Sequence, residues 1–163
     1  MLSELLSKST CAQCRFCCSF RRCSLWETPL FDIESVKILS KKGYKFDCTD
    51  DYGKIILEDK YLTDNPEEEA PCYFLDNQKG CILTDDLKPF DCKIWPFRLM
   101  DKNGQLVVAL TPTCPAINKY SLDTLKDFLN KGTGEKIYNY GKKHPFIIKE
   151  YRENFPVLWE SEE

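Results

Sequence analysis

Cys11-Ala12-Gln13-Cys14-Arg15-Phe16-Cys17-Cys18 places four thiols within eight residues, and the reading of this stretch decides how the rest of the chain is understood. Two residues between a pair of cysteines let both thiolates turn toward one cation while the intervening backbone N–H groups point at the sulfurs. One such interval is weak evidence; two in succession, CxxCxxC, are far more specific. Adjacent Cys17 and Cys18 point in different directions along extended or helical backbone. Either one is a ligand and its neighbour packs beside it, or the two serve separate sites. Without a metal or a redox role, so many neighbouring thiols would be an oxidation liability.

Around this stretch the composition is ordinary. A chain of 163 residues with 42% hydrophobic and 30% charged residues is a soluble globular mix that suits a single domain, 1–163. Such a length builds a core without staples, because disulfide-dense folds belong mostly to chains of under about 80 residues. The ten cysteines therefore ask for another explanation. Lys and Arg number 23 against 26 Asp and Glu, a net charge of −3, which gives no basic field for a phosphate backbone and excludes nucleic acid as an indicated partner. Residues 1–8, Met-Leu-Ser-Glu-Leu-Leu-Ser-Lys, lack the apolar segment and cleavage site of a signal peptide, and no apolar run approaches the roughly 18 residues of a membrane span. The expectation is a cytoplasmic protein with no membrane partner, a setting in which cysteine patterns hold metal more often than disulfides.

Local signals predict a mixed architecture. Asp32 to Leu39 carries apolar residues three and four apart, with Asp32 or Thr28 as N-cap and Gly43 as stop, and predicts a short amphipathic helix. Tyr52 and Ile55-Ile56-Leu57 fit a strand, and residues 64–71 a solvated acidic loop. Phe97–Met100 and Gln105–Leu110, joined by Asp101-Lys102-Asn103-Gly104, read as a β-hairpin whose Asn-Gly tolerates the positive φ of a tight turn. Beyond Cys114 no cysteine occurs. There Ser121 can cap a helix with Leu122, Leu125, Phe128 and Leu129 on one face, ended by Gly132 or Gly134, and 135–141 and 146–152 look like two further helices. Tyr138, Tyr140, Phe146, Tyr151, Phe155 and Trp159 make this tail aromatic and read as residues that pack against the cysteine-bearing part. The fold class expected is α+β: a small metal-organised cysteine-rich part, 11–115, with a short hairpin and flanking helices, and a helical C-terminal extension, 116–163, packed on it.

A second constellation follows the first: Pro71-Cys72-Tyr73-Phe74-Leu75, then Gly80-Cys81-Ile82, then Lys88-Pro89-Phe90-Asp91-Cys92-Lys93-Ile94-Trp95-Pro96-Phe97. These spacings are too long for one knuckle, so the chain must turn back if the thiols converge, at Asn77-Gln78-Lys79-Gly80 and again at Asp85-Asp86 with Pro89. The CxxCxxC run also resembles the three-ligand loop of bacterial-type ferredoxins, where a distant cysteine supplies the fourth corner of a cubane. Zinc takes pairs from two separate loops instead, so the triple points to iron and sulfide. In its order, CxxCxxCC, Cys-aromatic-Phe-Leu, Gly-Cys-Ile, Pro-x-x-Cys with an aromatic-Pro-Phe and finally Cys114-Pro115, the chain resembles the CxxCxxCC cysteine-cluster family, described as a putative zinc- or iron-chelating domain, the YkgJ-like proteins. The resemblance spans Cys11 to about Pro115 and implies that Cys11, Cys14, Cys17, Cys18, Cys72, Cys81, Cys92 and Cys114 bind metal or cofactor, with Cys23 and Cys48 outside the set. Two departures stand out. Arg15 follows the second cysteine where the family often has Gly, so a loop needing positive φ there is strained or differently shaped. Lys88 and Lys93 stand where the family has arginines, which keeps the charge but loses the planar fork.

No other catalytic constellation competes. His144 is the single histidine, beside Lys143 and Pro145, and reads as a surface loop residue. Lys131-Gly132-Thr133-Gly134 lacks phosphate-loop spacing, and Asp85-Asp86 and Glu67-Glu68-Glu69 read as turn and solvated loop. The leading expectation is a [4Fe–4S] protein with a redox, electron-transfer or accessory role and an unidentified protein or redox partner. Its rival is a zinc module with one or two Cys₄ sites that presents a protein-binding surface. A cluster-dependent enzyme related to protein methyltransferases, with Cys23 or Cys48 as reactive thiol, stands third, and a disulfide scaffold last.

Overall fold

The CxxC stretch opens as a helix, α1 (Lys8–Cys14), because the Ser7 hydroxyl accepts the Thr10 N–H at 3.1 Å and caps its first turn. A computed structural model of the chain describes residues 2–21, 24, 26–56, 65 and 67–161, in an α+β arrangement that divides into two units, Ser7–Lys93 and Met1–Leu6 with Ile94–Glu163. Among the described residues no helix is long and apolar enough to cross a membrane.

In the cysteine-bearing unit α1 leads through a 3₁₀ turn (Phe16–Cys18) into β1 (Ser19–Arg21), followed by β2 (Leu30–Asp32), α2 (Ile33–Lys41), β3 (Phe46–Cys48) and β4 (Tyr52–Ile55). The sequence-predicted helix is α2, and Asp32 is its cap: Oδ1 accepts the Ser35 N–H at 2.8 Å. β4 lies between β2 and β3 in an antiparallel three-stranded sheet. This strand ends at Ile55, and Leu57 lies outside the described residues. The expected acidic loop is corrected at its end. Glu69–Pro71 forms β5, which pairs antiparallel with β1 through Ser19↔Pro71 and Arg21↔Glu69, because Ala70 has an apolar pocket to fill and the Arg21 guanidinium meets Glu67 at 2.7 Å. Residue 64 lies outside the described residues. β6 (Leu75–Asp76) and β7 (Gly80–Cys81) make a short hairpin, and α3 (Phe90–Ile94) closes the segment. The core of this unit is Phe20, Phe31, Leu39, Ile55 and Phe74, with Phe31 and Phe74 rings 5.7 Å apart; Cys72 and Cys81 pack against it, half-buried.

In the second unit the predicted hairpin is present as β8 (Phe97–Lys102) and β9 (Gln105–Leu110), turned at Asn103 and Gly104 with φ of 56° and 88°. α4 (Leu122–Phe128), capped by Ser121, passes through a π turn at 129–133 into α5 (Gly134–Lys143). Gly132 turns the chain at φ 103°, so Gly134 begins the next helix where it was expected to end the previous one. α5 lies so close to β8 that a Cβ on Gly141 would come 2.0 Å from a methyl of Leu99.

The expectation of a wholly helical tail is corrected. Residues 146–152 are not a helix: Pro145–Ile147 makes one 3₁₀ turn and β10 (Lys149–Glu150) follows, parallel to β8. β11 (Val157–Glu160) pairs antiparallel with β9, giving the order β10-β8-β9-β11. A two-stranded ribbon leaves both edges open, and β10 and β11 cover them as strands. Trp159 in β11 meets Tyr138 of α5 with ring centroids 5.9 Å apart, a contact within the tail itself. His144 ends α5, half-buried and stacked on Tyr140 at 4.3 Å.

Candidate functional site

The two cysteine constellations meet through backbone pairing. Cys18 directly precedes β1 and Cys72 directly follows β5, so the ladder that pairs Ser19 with Pro71 brings these two residues side by side, and the Cys72 N–H donates to the Cys18 carbonyl at 2.8 Å. Cys81 is carried back toward Cys72 by the next hairpin: Leu75, whose N–H donates to the Cys72 carbonyl at 3.1 Å, is the register partner of Cys81. The Asp76 carboxylate shapes the turn between, accepting the Gln78 and Lys79 N–H groups at 2.8 and 2.7 Å. Cys92 sits in α3, whose start is fixed by the Cys92 N–H donating to the Pro89 carbonyl at 3.0 Å.

Within this arrangement Cys18, Cys72, Cys81 and Cys92 act electrostatically on one another in every pairing. Burial pushes the Cys72 thiol up to about 12, raises Cys81, and holds Cys92 well above its ordinary value. Negative charge on any one of the four raises the cost of ionising its neighbours, so without a cation most of the group stays protonated. Cys18 is the exception. It is pushed down to about 7, first because the Cys17 thiol donates a hydrogen bond to it, and then because Lys88 and Arg15 place positive charge nearby. Cys17 is raised correspondingly, its proton held by Cys18, with Cys92 and Cys11 adding negative charge. Above about pH 7 the pair thus carries one proton, on Cys17.

The remaining candidates fall elsewhere. Cys11 and Cys14 stand three apart on α1, both exposed; Cys11 acts on Cys17, and Cys14 occupies the last helical position. Cys114, buried, belongs to the second unit, where its carbonyl accepts the Asn118 N–H at 2.9 Å. Cys48 is exposed at the end of β3, and Cys23 lies outside the described residues. The described cysteines are all free thiols. Among the described residues, no three Cys, His, Asp or Glu side chains stand together closely enough to hold a metal ion as they are placed. The four mutually interacting thiols nonetheless have the donor chemistry of a soft-metal centre, with two cations beside them to offset thiolate charge.

Two residues matter here more than their types announced. Lys88, half-buried, favours ionisation of both Cys18 and Cys81, so its charge is spent on the thiols. Arg15 takes the left-handed conformation, φ 55°, that the sequence flagged as unfavourable for anything but glycine, and its side chain reaches two backbone carbonyls. A positive φ was to be expected here only through the resemblance, since that family often has Gly at this position; the side-chain bridge was not readable, because its second partner is remote in sequence. Comparison with known proteins finds no match to this chain among family models, curated proteins or solved structures.

Proposed function

We propose that Cys18, Cys72, Cys81 and Cys92 are the protein ligands of an iron–sulfur centre, as the resemblance to the CxxCxxCC family implies for a larger set of cysteines, and that the protein serves in electron transfer or as a redox accessory. The observation that carries this reading is that the β1–β5 ladder and the β6–β7 hairpin bring Cys18, Cys72 and Cys81 together from separate segments, with the charge of all three acting on Cys92. A single zinc ion with Zn–S bonds of about 2.3 Å needs its sulfurs close enough to touch one cation. As they are placed, no three such side chains among the described residues stand close enough to hold an ion, so it is the soft-donor chemistry of the four thiols, not their spacing, that supports this reading. When bound, such a cluster supplies a one-electron couple. Lys88 and Arg15 offset the negative charge of the thiolates, and the core packed behind Cys72 and Cys81 keeps water from that side. A Cys₄ zinc site is the second reading, favoured by one feature alone: the ligands come from separated loops.

Anaerobic purification followed by iron and acid-labile sulfide analysis tests this. The expected protein is brown, absorbs broadly at about 400 nm and bleaches with dithionite. Alanine at Cys18, Cys72, Cys81 or Cys92 removes the colour, and Cys48→Ala retains it. A colourless protein holding stoichiometric zinc after anaerobic reconstitution overturns the iron–sulfur reading.

A further inference from the structure

α1 is a helix of seven residues with no buried residue, too short to persist alone and without an apolar face to hold it in place. Its position therefore depends on a few specific contacts with the rest of its unit. One is steric: at Gly80 in β7 a Cβ would lie 2.9 Å from the Cβ and 3.0 Å from the Cα of Ala12, so the hairpin backbone and the helix meet surface to surface. The other is Arg15. Its own N–H caps α1 on the Cys11 carbonyl at 3.1 Å, its Nε donates to the Ala12 carbonyl at 2.9 Å, and its Nη2 donates to the Asn77 carbonyl in the β6–β7 turn. Immediately after it, the Arg15 carbonyl accepts the Cys18 N–H at 3.0 Å and starts the 3₁₀ turn that carries Cys17 and Cys18. Lys8 and Asp85 add an ion pair at 3.7 Å, but both are almost fully exposed and it is worth little.

We propose that Arg15 is the positioning residue of the thiol centre: its guanidinium ties the end of α1 to the β6–β7 turn, so that Cys18, three residues on, and Cys81, four residues beyond Asn77, are held to one geometry. The bridge needs the planar fork, since two donors of one group reach two carbonyls that belong to different segments. It also explains why a residue other than glycine occupies a left-handed position, where a side chain is tolerated only when surrounding contacts fix it. This inference rests on the metal-centre reading for its function and on hydrogen bonds alone for its geometry.

Arg15→Lys, Arg15→Met and Arg15→Gly, each made in the full chain, test it with two readouts. One is the rate at which a chelator strips iron from the reconstituted protein; the other is amide hydrogen exchange over residues 75–82 in the reduced, metal-free protein. All three variants are expected to lose metal about 10- to 100-fold faster than the wild type, as for groups that orient ligands from outside the coordination sphere. Exchange in the hairpin should rise about tenfold. Lysine keeps the charge but not the fork, so it should resemble methionine; if it matches the wild type while methionine falls, charge alone acts and the positioning role is overturned. Glycine relaxes the left-handed backbone, so a glycine variant as tight as the wild type, or unchanged exchange in all three, overturns it as well. A wild type that holds no metal defeats the iron–sulfur reading, and the exchange measurement still decides for or against the bridge.

Discussion

Cys17 and Cys18 differ by one position in the chain and are pushed in opposite directions, which a motif written as CC conceals. Their shared proton sits on Cys17, so in the reduced, metal-free protein Cys18 is the thiol that ionises, passing to thiolate through about pH 7. Thiolate, not thiol, is the nucleophile. Iodoacetamide labelling mapped by mass spectrometry should therefore show Cys18 reacting with a midpoint at about pH 7, well below the ordinary value of 9.0, while Cys17 stays unlabelled. Removing the hydrogen bond with Cys17→Ala should raise that midpoint further than removing the cation with Lys88→Gln, since the hydrogen bond is the larger cause. A wild-type midpoint near 9 would sink the assignment. The same asymmetry has a consequence for metal loading: a thiolate already formed at Cys18 gives an incoming cation its first ligand, and the protonated thiols release their protons as they join.

At the level of elements, the centre depends on two short pieces that meet at one glycine. Gly80 has φ +76°, and its backbone abuts Ala12, so both its freedom at positive φ and its lack of a side chain are used. Gly80→Ala should strain the backbone and push β7 off α1, lowering stability by about 1–3 kcal/mol. Because β7 carries Cys81, metal content should fall with it. Urea unfolding of the reduced protein alongside iron analysis checks both; unchanged stability and full metal content would show that the hairpin is not seated on the helix as described. Elements of this kind also mark what was readable in advance. α2 and the β8–β9 hairpin carry their signals locally, in Asp32 as a cap and in Asn103-Gly104 as a turn, and both were legible. β10 and β11 were not: they are two and four residues long, and what makes them strands is the open edges of a distant hairpin rather than a pattern of their own. β5 escaped for the same reason, since its partner β1 lies some fifty residues earlier.

For the molecule as a whole, the resemblance implied eight cysteines without saying which stand together, because the grouping of Cys18, Cys72 and Cys81 is set by the β1–β5 ladder and the β6–β7 turn rather than by distance along the chain. That grouping predicts how stability depends on pH. Cys72, Cys81 and Cys92 are raised by burial, so above pH 9 the unfolded chain has given up protons that the folded chain keeps. Where the folded state binds more protons, stability falls as pH rises, and for Cys72 the loss runs from pH 9 to about 12. Cys18, lowered to about 7, has the opposite sign: between pH 7 and 9 the unfolded chain binds more protons, so stability rises with pH there and is lost as pH falls through 7. The reduced, metal-free protein should accordingly show a urea midpoint that climbs from pH 7 toward 9 and declines from 9 to 11. Cys18→Ser should flatten the climb and Cys72→Ala should lessen the decline, and the difference between wild type and variant isolates the thiol. A decline of the same slope in Cys72→Ala would mean that the buried thiol is not where the pH dependence arises. Metal binding reverses the upper limb, since a ligated thiolate has no proton to lose, so the loaded protein should hold its stability to higher pH than the metal-free one, and the gap between the two curves should widen as pH increases.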